Sequence, residues 1–415
     1  MNPVAEAVRR ARGTWGAGGA APRGPASTRG EPTGLVLGSG GKGDSPALNP
    51  YPDCVKRVLV VKLCCMGDIV QMTPAIRALR RRFDQAEIHF LCSQWVWETA
   101  WRVPGVTRVI SWDEPTQSGS WIKKFLSFFR ILRQLSKERY DIAFLGHRSA
   151  IFGLLVFLAR IPVRAGFAAP WPFLLTHRRP FQPSQPEVDR YLAVAESLGA
   201  AAQGKHFELA VTPKDEETFR HWSEQKKFSW NKPLVALLPG GGDNPLTSMK
   251  IKRWPKEKFA ELARRLGDTA KYQVLILGAA PESQLAGFIK LKTENSKDVF
   301  NLAEQTNLAQ LFALLKKCRL VIGGDSGPLY LAAALGTPTL TLFGPSDPRL
   351  VAPSGERQRY LWKQVSCAPC YTPQTIYDQS RWRDREFICW TKTHACMEEL
   401  TVNEAAEAAL EMLGN

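Results

Sequence analysis

The 415-residue sequence contains no apolar run of the roughly 18 to 20 residues that a membrane-spanning helix requires. The longest candidate, Ile151 to Ile161, is too short and is interrupted by Gly153 and Arg160, so an integral membrane protein is not expected. The N-terminus lacks the compact apolar stretch and small-residue cleavage site of a secretory signal. Acidic residues are scarce beside basic ones, 39 against 55, which leaves a formal net charge of +16 and a pI near 9.5. That deficit points to anionic partners: nucleic acid, an acidic membrane face or phosphorylated small molecules. No RNA- or DNA-reading module accompanies the charge, so nucleic acid is not the expected partner. Nine cysteines, an odd number without an export signal, argue against a disulfide framework and for a reducing cytoplasm.

What is present is ordinary globular composition, 44% hydrophobic and 23% charged, in a chain too long for one core. Residues 1–52 are rich in Gly, Ala, Pro and Arg with no apolar period, and are expected to be a disordered extension. Beyond them, short β-branched runs alternate with helical patterns, the signature of parallel sheets covered by helices. Strands are expected at Val58–Lys62, Ile88–Leu91, Val109–Trp112 and Ile142–Leu145, and again at Leu234–Leu238, Gln273–Leu277, Leu320–Ile322 and Thr339–Phe343. The restart near residue 226 predicts two α/β domains, 53–225 and 226–400, followed by a terminal helix over 401–415. Thr401 and Glu404 form a capping-box pair for that helix, which is expected to cross back and brace the first domain. Helices are also predicted at Ala75–Phe83 and Trp121–Leu135, the second with Ile122, Phe125, Phe129 and Leu132 inward. Its other face carries Lys123, Lys124, Arg130 and Arg133, which fits either a solvated surface or contact with an anionic membrane.

Chemistry concentrates where strands end and helices begin, the edge at which open parallel sheets bind ligands. After the first strand come Lys62, Met66, Gly67, Asp68 and Ile69, without a dinucleotide fingerprint. Gly67 permits close backbone approach, and Asp68 is either a general base or a helix N-cap. In the second half, Pro239, Gly240, Gly241 and Gly242 follow a strand and Lys252 precedes a helix at Glu257–Leu266. Such a turn exposes N–H groups to phosphate, although the full Walker A pattern is missing. Asp325, Ser326 and Gly327 lead into another helix, Leu329–Leu335, whose N-terminus is a second phosphate-friendly feature. Together they suggest a diphosphate site.

Four stretches carry a family resemblance: VLVVKLCCMGDIVQMTPAIRAL from Val58, KRWPKEKFAELARRL from Lys252, GGDSGPLYLAAALGTPTLTLFGPSDP from Gly323, and CAPCY from Cys367. In this order they resemble glycosyltransferase family 9, the heptosyltransferases that extend the inner core of lipopolysaccharide. The resemblance implies a GT-B fold of two Rossmann-like domains facing across a cleft, acceptor-binding first and donor-binding second. It implies an inverting transfer of a sugar, heptose from ADP-heptose, onto a lipid-linked saccharide. Asp68 would be the catalytic base, Lys252 and the amides around Ser326 and Gly327 would hold the diphosphate, and Glu282 would bind ribose, against a reading as a solvated acid at a helix start. Gly67 and Arg148 would face the acceptor, with Arg148 either offering its charge to an anionic group or forming a surface salt bridge.

One departure is visible: the family's D-[ST]-G-x-x-H ends here in Tyr330, a donor-binding candidate that can give a hydrogen bond to phosphate but carries no positive charge. That departure keeps a catalytically silent nucleotide-binding scaffold, or a transferase with a different nucleotide sugar, as the alternative. Cys367, Cys370, Cys389, His394 and Cys396 could assemble a structural zinc site, against a reading as buried thiols. Cys64 and Cys65 are assigned no chemistry. No cofactor or catalytic metal is expected, and the protein is expected to be a monomer, cytoplasmic or peripheral at the inner face of the cytoplasmic membrane.

Overall fold

The computed structural model describes residues 55–112, 121–168, 171–226, 230–245 and 247–414. The extension expected over 1–52 lies outside the described residues. Two six-stranded sheets, parallel throughout, organise the chain from Tyr51 onward. The first has the order β3-β2-β1-β4-β5-β6, with β1 at Arg57–Val61, β2 at Glu87–Cys92, β3 at Val106–Ser111, β4 at Ile142–Leu145, β5 at Val163–Phe167 and β6 at His177–Arg179. The second has the order β12-β11-β10-β7-β8-β9, with β7 at Leu234–Leu238, β8 at Gln273–Ile276, β9 at Val299–Asn301, β10 at Leu320–Gly324, β11 at Thr339–Phe343 and β12 at Gln358–Trp362. The central strands β1, β4, β7, β10 and β11 are continuous apolar or small-residue runs because helices cover both of their faces. The expected strands are therefore present. Four strands, β5, β6, β9 and β12, escaped the sequence reading: β6, β9 and β12 are edge strands and β5 lies next to one, so each carries polar or charged residues in place of a continuous apolar run.

The first helix runs from Met66 to Arg82, nine residues earlier than the expected Ala75. Pro74 disguised its continuity, since proline removes a helical N–H. The Thr73 hydroxyl supplies a replacement, donating to the Val70 carbonyl at 2.7 Å. This helix and Glu187–Glu196 share one continuous core with Leu308–Lys317 and Gly327–Ala334, so the two sheets are joined by packed side chains rather than only by chain connection.

Two further expectations are corrected. The terminal helix, Val402–Leu413, does not cross back to the first sheet; it packs on Lys256–Asp268 and β10. Its small face of Ala405, Ala406, Ala408 and Ala409 fits closely against the second half's own core, and Trp254 donates its indole N–H to the Leu400 carbonyl at 3.0 Å just before it. The Trp121–Glu138 helix docks by Phe128, Ile131, Leu132 and Leu135, so that of the predicted stripe only Leu132 turns inward. Ile122, Phe125 and Phe129 face solvent. The helix has two apolar stripes, and the periodicity of an isolated helix cannot tell which one the sheet will cover. No described helix is long and apolar enough to cross a membrane.

A buried ion pair links the halves where the chain passes between them. Arg102, which follows the short helix Trp97–Trp101, grips both oxygens of Asp215, with its Nε at 2.9 Å from Oδ2. Asp215 opens the helix Pro213–Glu224 and also accepts from the Thr212 amide at 2.8 Å, closing a capping box. The guanidinium lies 4.4 Å from the ring of Phe312 in the second half. Burial alone would raise the Asp215 carboxyl, but the hydrogen bonds from Arg102 and Thr212 hold it below the usual carboxylate range. Removing one partner strands a charge in the interior. Arg102→Met should therefore lower the unfolding free energy by about 3–5 kcal/mol, read from chemical denaturation.

Candidate active site

A cleft of about 1010 Å³ lies between the carboxyl ends of the two sheets. This is where open α/β sheets place ligands, because loops from neighbouring strands diverge there. Its walls come from the segments after β1, β4 and β5 on one side and after β7, β8, β10 and β11 on the other.

On the first-sheet side, β1 delivers Lys62 and then the helix start. Cys65 is the N-cap and Asp68 lies in the first turn, so Asp68 is not the cap. Its carboxylate pairs with the Lys62 ammonium at 2.8 Å and remains 39% exposed toward the cleft. Lys62 is buried, which disfavours its charge, yet Asp68 and neighbouring Tyr191 outweigh that penalty and push its pKa well above the ordinary lysine value. Gly67 packs closely on the second half: a Cβ there would meet the Tyr330 ring at 3.3 Å. After β4, His147 accepts the Leu63 amide on Nε2 at 2.7 Å, which leaves its proton on Nδ1, and stacks on Phe152 at 4.3 Å. Arg148 forms no ion pair among the described residues; it covers the Phe181 ring at 3.9 Å on the cleft wall.

On the second-sheet side, the turn Gly240–Gly242 tolerates nothing larger. A Cβ at Gly240 would lie 2.0 Å from Glu282 Cγ, one at Gly241 would lie 2.5 Å from Ser326 Cβ, and Gly241 and Gly242 take φ of +95° and +81°. Glu282 is not the solvated acid that a helix start allows. It is buried, accepts the Ala279 amide at 2.9 Å and receives Arg253 at 3.4 Å. After β10 stands Asp325, also buried, with three donors: Lys252 Nζ at 2.7 Å, Ser346 Oγ at 2.6 Å and the Tyr330 hydroxyl at 2.9 Å. Burial would raise its pKa; the Lys252 charge and these hydrogen bonds override that and keep it below the usual carboxylate range. Tyr371 lies 4.6 Å from the Lys252 ammonium and shields it.

The structure thus brings Asp68, Gly67, Arg148, Gly240, Gly241, Lys252, Glu282, Asp325, Ser326, Gly327 and Tyr330 into one cleft. Tyr330 does not point a free hydroxyl at a donor phosphate, as the sequence suggested. Its single proton is shared between Asp325 and the Val351 carbonyl at 3.0 Å, because the ring reaches back over the turn to the carboxylate. Ser326 Oγ has no hydrogen-bond partner among the described residues and sits beside Gly241 at the start of the Gly327–Ala334 helix. Sequence reasoning missed His147, Ser346 and Tyr371; His147 follows β4 and Ser346 follows β11, a signal that could have found both, whereas Tyr371 reaches the cleft from a longer loop after β12.

Among the described residues, no three His, Cys, Asp or Glu side chains converge as metal ligands. His394 commits Nε2 to the Ile251 carbonyl at 2.6 Å, and burial pushes the Cys370 and Cys396 thiols up to about 11 and about 12.

His147 makes folding pH-dependent. Burial, reinforced by Lys62, holds its pKa well below 6.5, so the native ring is neutral while the unfolded chain binds a proton below about pH 6.5. Its stabilising contribution is full above that pH and declines as pH falls. In urea unfolding at pH 7.5 and 5.5, His147→Gln should flatten that decline, by less than the roughly 1.4 kcal/mol per pH unit of one fully desolvated proton site. An unchanged slope would show that the ring titrates as if in water.

Comparison with known proteins adds three findings. The sequence profile of "Glycosyltransferase family 9 (heptosyltransferase)" matches residues 128–380. Lipopolysaccharide heptosyltransferase 2 of Escherichia coli K12 is 28% identical over 317 residues, covering 74% of this chain and 87% of that protein. Lipopolysaccharide heptosyltransferase 1 of Pseudomonas aeruginosa is 25% identical over 378 residues, 86% and 98% of the two chains. Among solved structures, E. coli ADP-heptose LPS heptosyltransferase II superposes with a TM-score of 0.66 at 24% identity over 86% of this chain and 98% of that one. A family 9 glycosyltransferase from Veillonella parvula superposes with a TM-score of 0.70 at 19% identity over 87% and 97%. The shared architecture is GT-B.

Proposed function

We infer the reaction from the premise that this chain belongs to glycosyltransferase family 9, the heptosyltransferases. The protein transfers a heptose from ADP-heptose to the inner core of lipopolysaccharide or a related lipid-linked saccharide, with inversion at the anomeric carbon. The observation that carries this reading is the pairing across one cleft of an accessible carboxylate, Asp68, with a cationic helix start at Lys252, Ser326 and Gly327. The donors named for similar proteins support the choice of ADP-heptose.

Asp68 takes the proton from the acceptor hydroxyl, whose oxygen attacks the anomeric carbon from the face opposite the diphosphate. Lys62 holds the carboxylate in place. As the glycosidic bond to the diphosphate breaks, negative charge grows on its oxygens. Lys252 has donors beyond the one given to Asp325, and with the Gly240–Gly242 turn, the Ser326 hydroxyl and the Ser326 and Gly327 amides where the Gly327–Ala334 helix begins, it stabilises that charge. These fixed donors supply the electrostatics, so no cofactor or catalytic metal is proposed. Glu282, fixed against Gly240, presents its carboxylate to the ribose, and Arg148 faces the acceptor. Tyr330 orients Asp325 rather than touching the donor.

Two measurements test the reading. Asp68→Asn keeps an acceptor oxygen for Lys62 and lacks basicity; it should remain folded and bind ADP, while turnover falls roughly a hundred- to ten-thousandfold. Near-normal turnover would remove Asp68 from the mechanism. In thermal melts with nucleoside diphosphates, ADP should raise the midpoint more than UDP or GDP, since a ligand of the native state alone stabilises it. A preference for UDP would refute the ADP-heptose assignment.

A further inference from the structure

We propose that the outer face of the Trp121–Glu138 helix is a docking surface for an anionic lipid bilayer. The inference rests on the reading that the acceptor is lipid-linked, and it names the surface by which the enzyme reaches it. Ile122, Phe125, Leu126 and Phe129 are 50%, 55%, 58% and 45% exposed. Their spacing of three, four and seven residues places them on a single stripe. A second stripe, Phe128, Ile131, Leu132 and Leu135, already anchors the helix to the sheet, so the exposed residues are surplus to folding. At 3.6 residues per turn the two stripes lie roughly a third of the way round the helix from each other.

The charges beside the exposed stripe identify what covers it. The helix carries Lys123, Lys124, Arg130, Arg133 and Lys137 and only one acid, Glu138. Lys123, Arg130 and Lys137 are exposed and fall along one border of the apolar stripe, and exposed Arg133 continues the stripe one turn past Phe129. An apolar stripe bordered by cations is the pattern of a helix lying in a bilayer interface, rings among the acyl chains and cations among anionic headgroups. A second copy of the chain fits poorly, since each copy brings a formal charge of +16 and presents cations to cations.

The surface is also placed for access to the cleft. The Trp121–Glu138 helix packs beside Ala150–Leu158, which begins next to Arg148 and Ser149 on the cleft wall and ends in exposed Phe157 and Leu158. A chain of ring contacts ties the two regions: His147 on Phe152 at 4.3 Å, Phe152 to Trp112 at 6.3 Å, and Trp112 to Phe128 at 6.4 Å. A bilayer against this face would present a lipid-anchored sugar beside the first-sheet wall.

The test uses the full chain and sedimentation with vesicles, without donor or acceptor, so that its outcome is independent of the catalytic assignment. Wild type should bind vesicles containing phosphatidylglycerol and bind phosphatidylcholine vesicles much more weakly. Phe125→Glu with Phe129→Glu, and separately Lys123→Glu with Arg130→Glu, should each weaken binding about tenfold or more. Both variants alter exposed residues, so melting temperature and ADP binding should stay unchanged. Equal binding by wild type and variants, no preference for the anionic vesicles, or no binding at all would overturn the proposal. So would light scattering that shows a wild-type dimer which Phe125→Glu with Phe129→Glu converts to monomer.

Discussion

Asp325 is a carboxylate buried at the point where the second sheet meets the cleft, and its three donors fix almost everything around it. Lys252 reaches it from the loop before a helix, Ser346 from the loop after β11, and Tyr330 from the first turn of the Gly327–Ala334 helix. An ionised carboxylate in the interior is costly unless its acceptor positions are filled, and here charge-assisted bonds fill them. The same residue therefore aims the lysine, anchors the helix start and holds the tyrosine ring in one orientation. That ring packs on Gly67, while Gly327 packs on Met66, so the helix carrying Asp68 is set against the helix that begins at Gly327. The distance between the acidic and cationic sides of the cleft is thus a consequence of packing around a single buried charge.

The replacement of the family's histidine by Tyr330 makes physical sense in this setting. The hydroxyl satisfies Asp325 and Val351, and the flat ring meets a residue without a side chain. What the position loses is a group that could carry charge in the cleft. The remaining cationic character falls to Lys252 and to the helix start, with the Ser326 hydroxyl lacking a partner among the described residues. A buried hydroxyl without a partner is uncommon, and it lies beside the glycine turn where a phosphate oxygen would complete it.

The Trp121–Glu138 helix shows how a fold uses more apolar surface than its core needs. Only one of its stripes contributes to holding the sheet. The other leaves four large apolar side chains in solvent beside a border of cations, a combination that soluble surfaces avoid when nothing covers them. Its position next to the first-sheet wall gives that surface a relation to catalysis that neither composition nor charge alone conveys.

The sequence by itself determined the parallel α/β architecture and which residues stand at the strand ends, because both are local properties. Apolar runs such as Leu234–Leu238 declare buried strands, and glycines at 240 to 242 and 327 declare tight turns into helices. Asp68 and Lys252 could be singled out for the same reason: each stands directly after a strand or before a helix at a ligand-binding edge. Only the tertiary structure decided how these residues are used. It paired Asp68 with Lys62 instead of making it a cap, joined Lys252 to Asp325 across 73 residues, turned Tyr330 inward and buried Glu282 against Gly240. It also decided which stripe of an amphipathic helix is buried and sent the last helix to the second sheet. Most of these outcomes depend on a partner distant in sequence, and even the short-range pairs, Asp68 with Lys62 and Tyr330 with Asp325, join a helix to the loop before it, whereas periodicity records only the spacing of residues along one element.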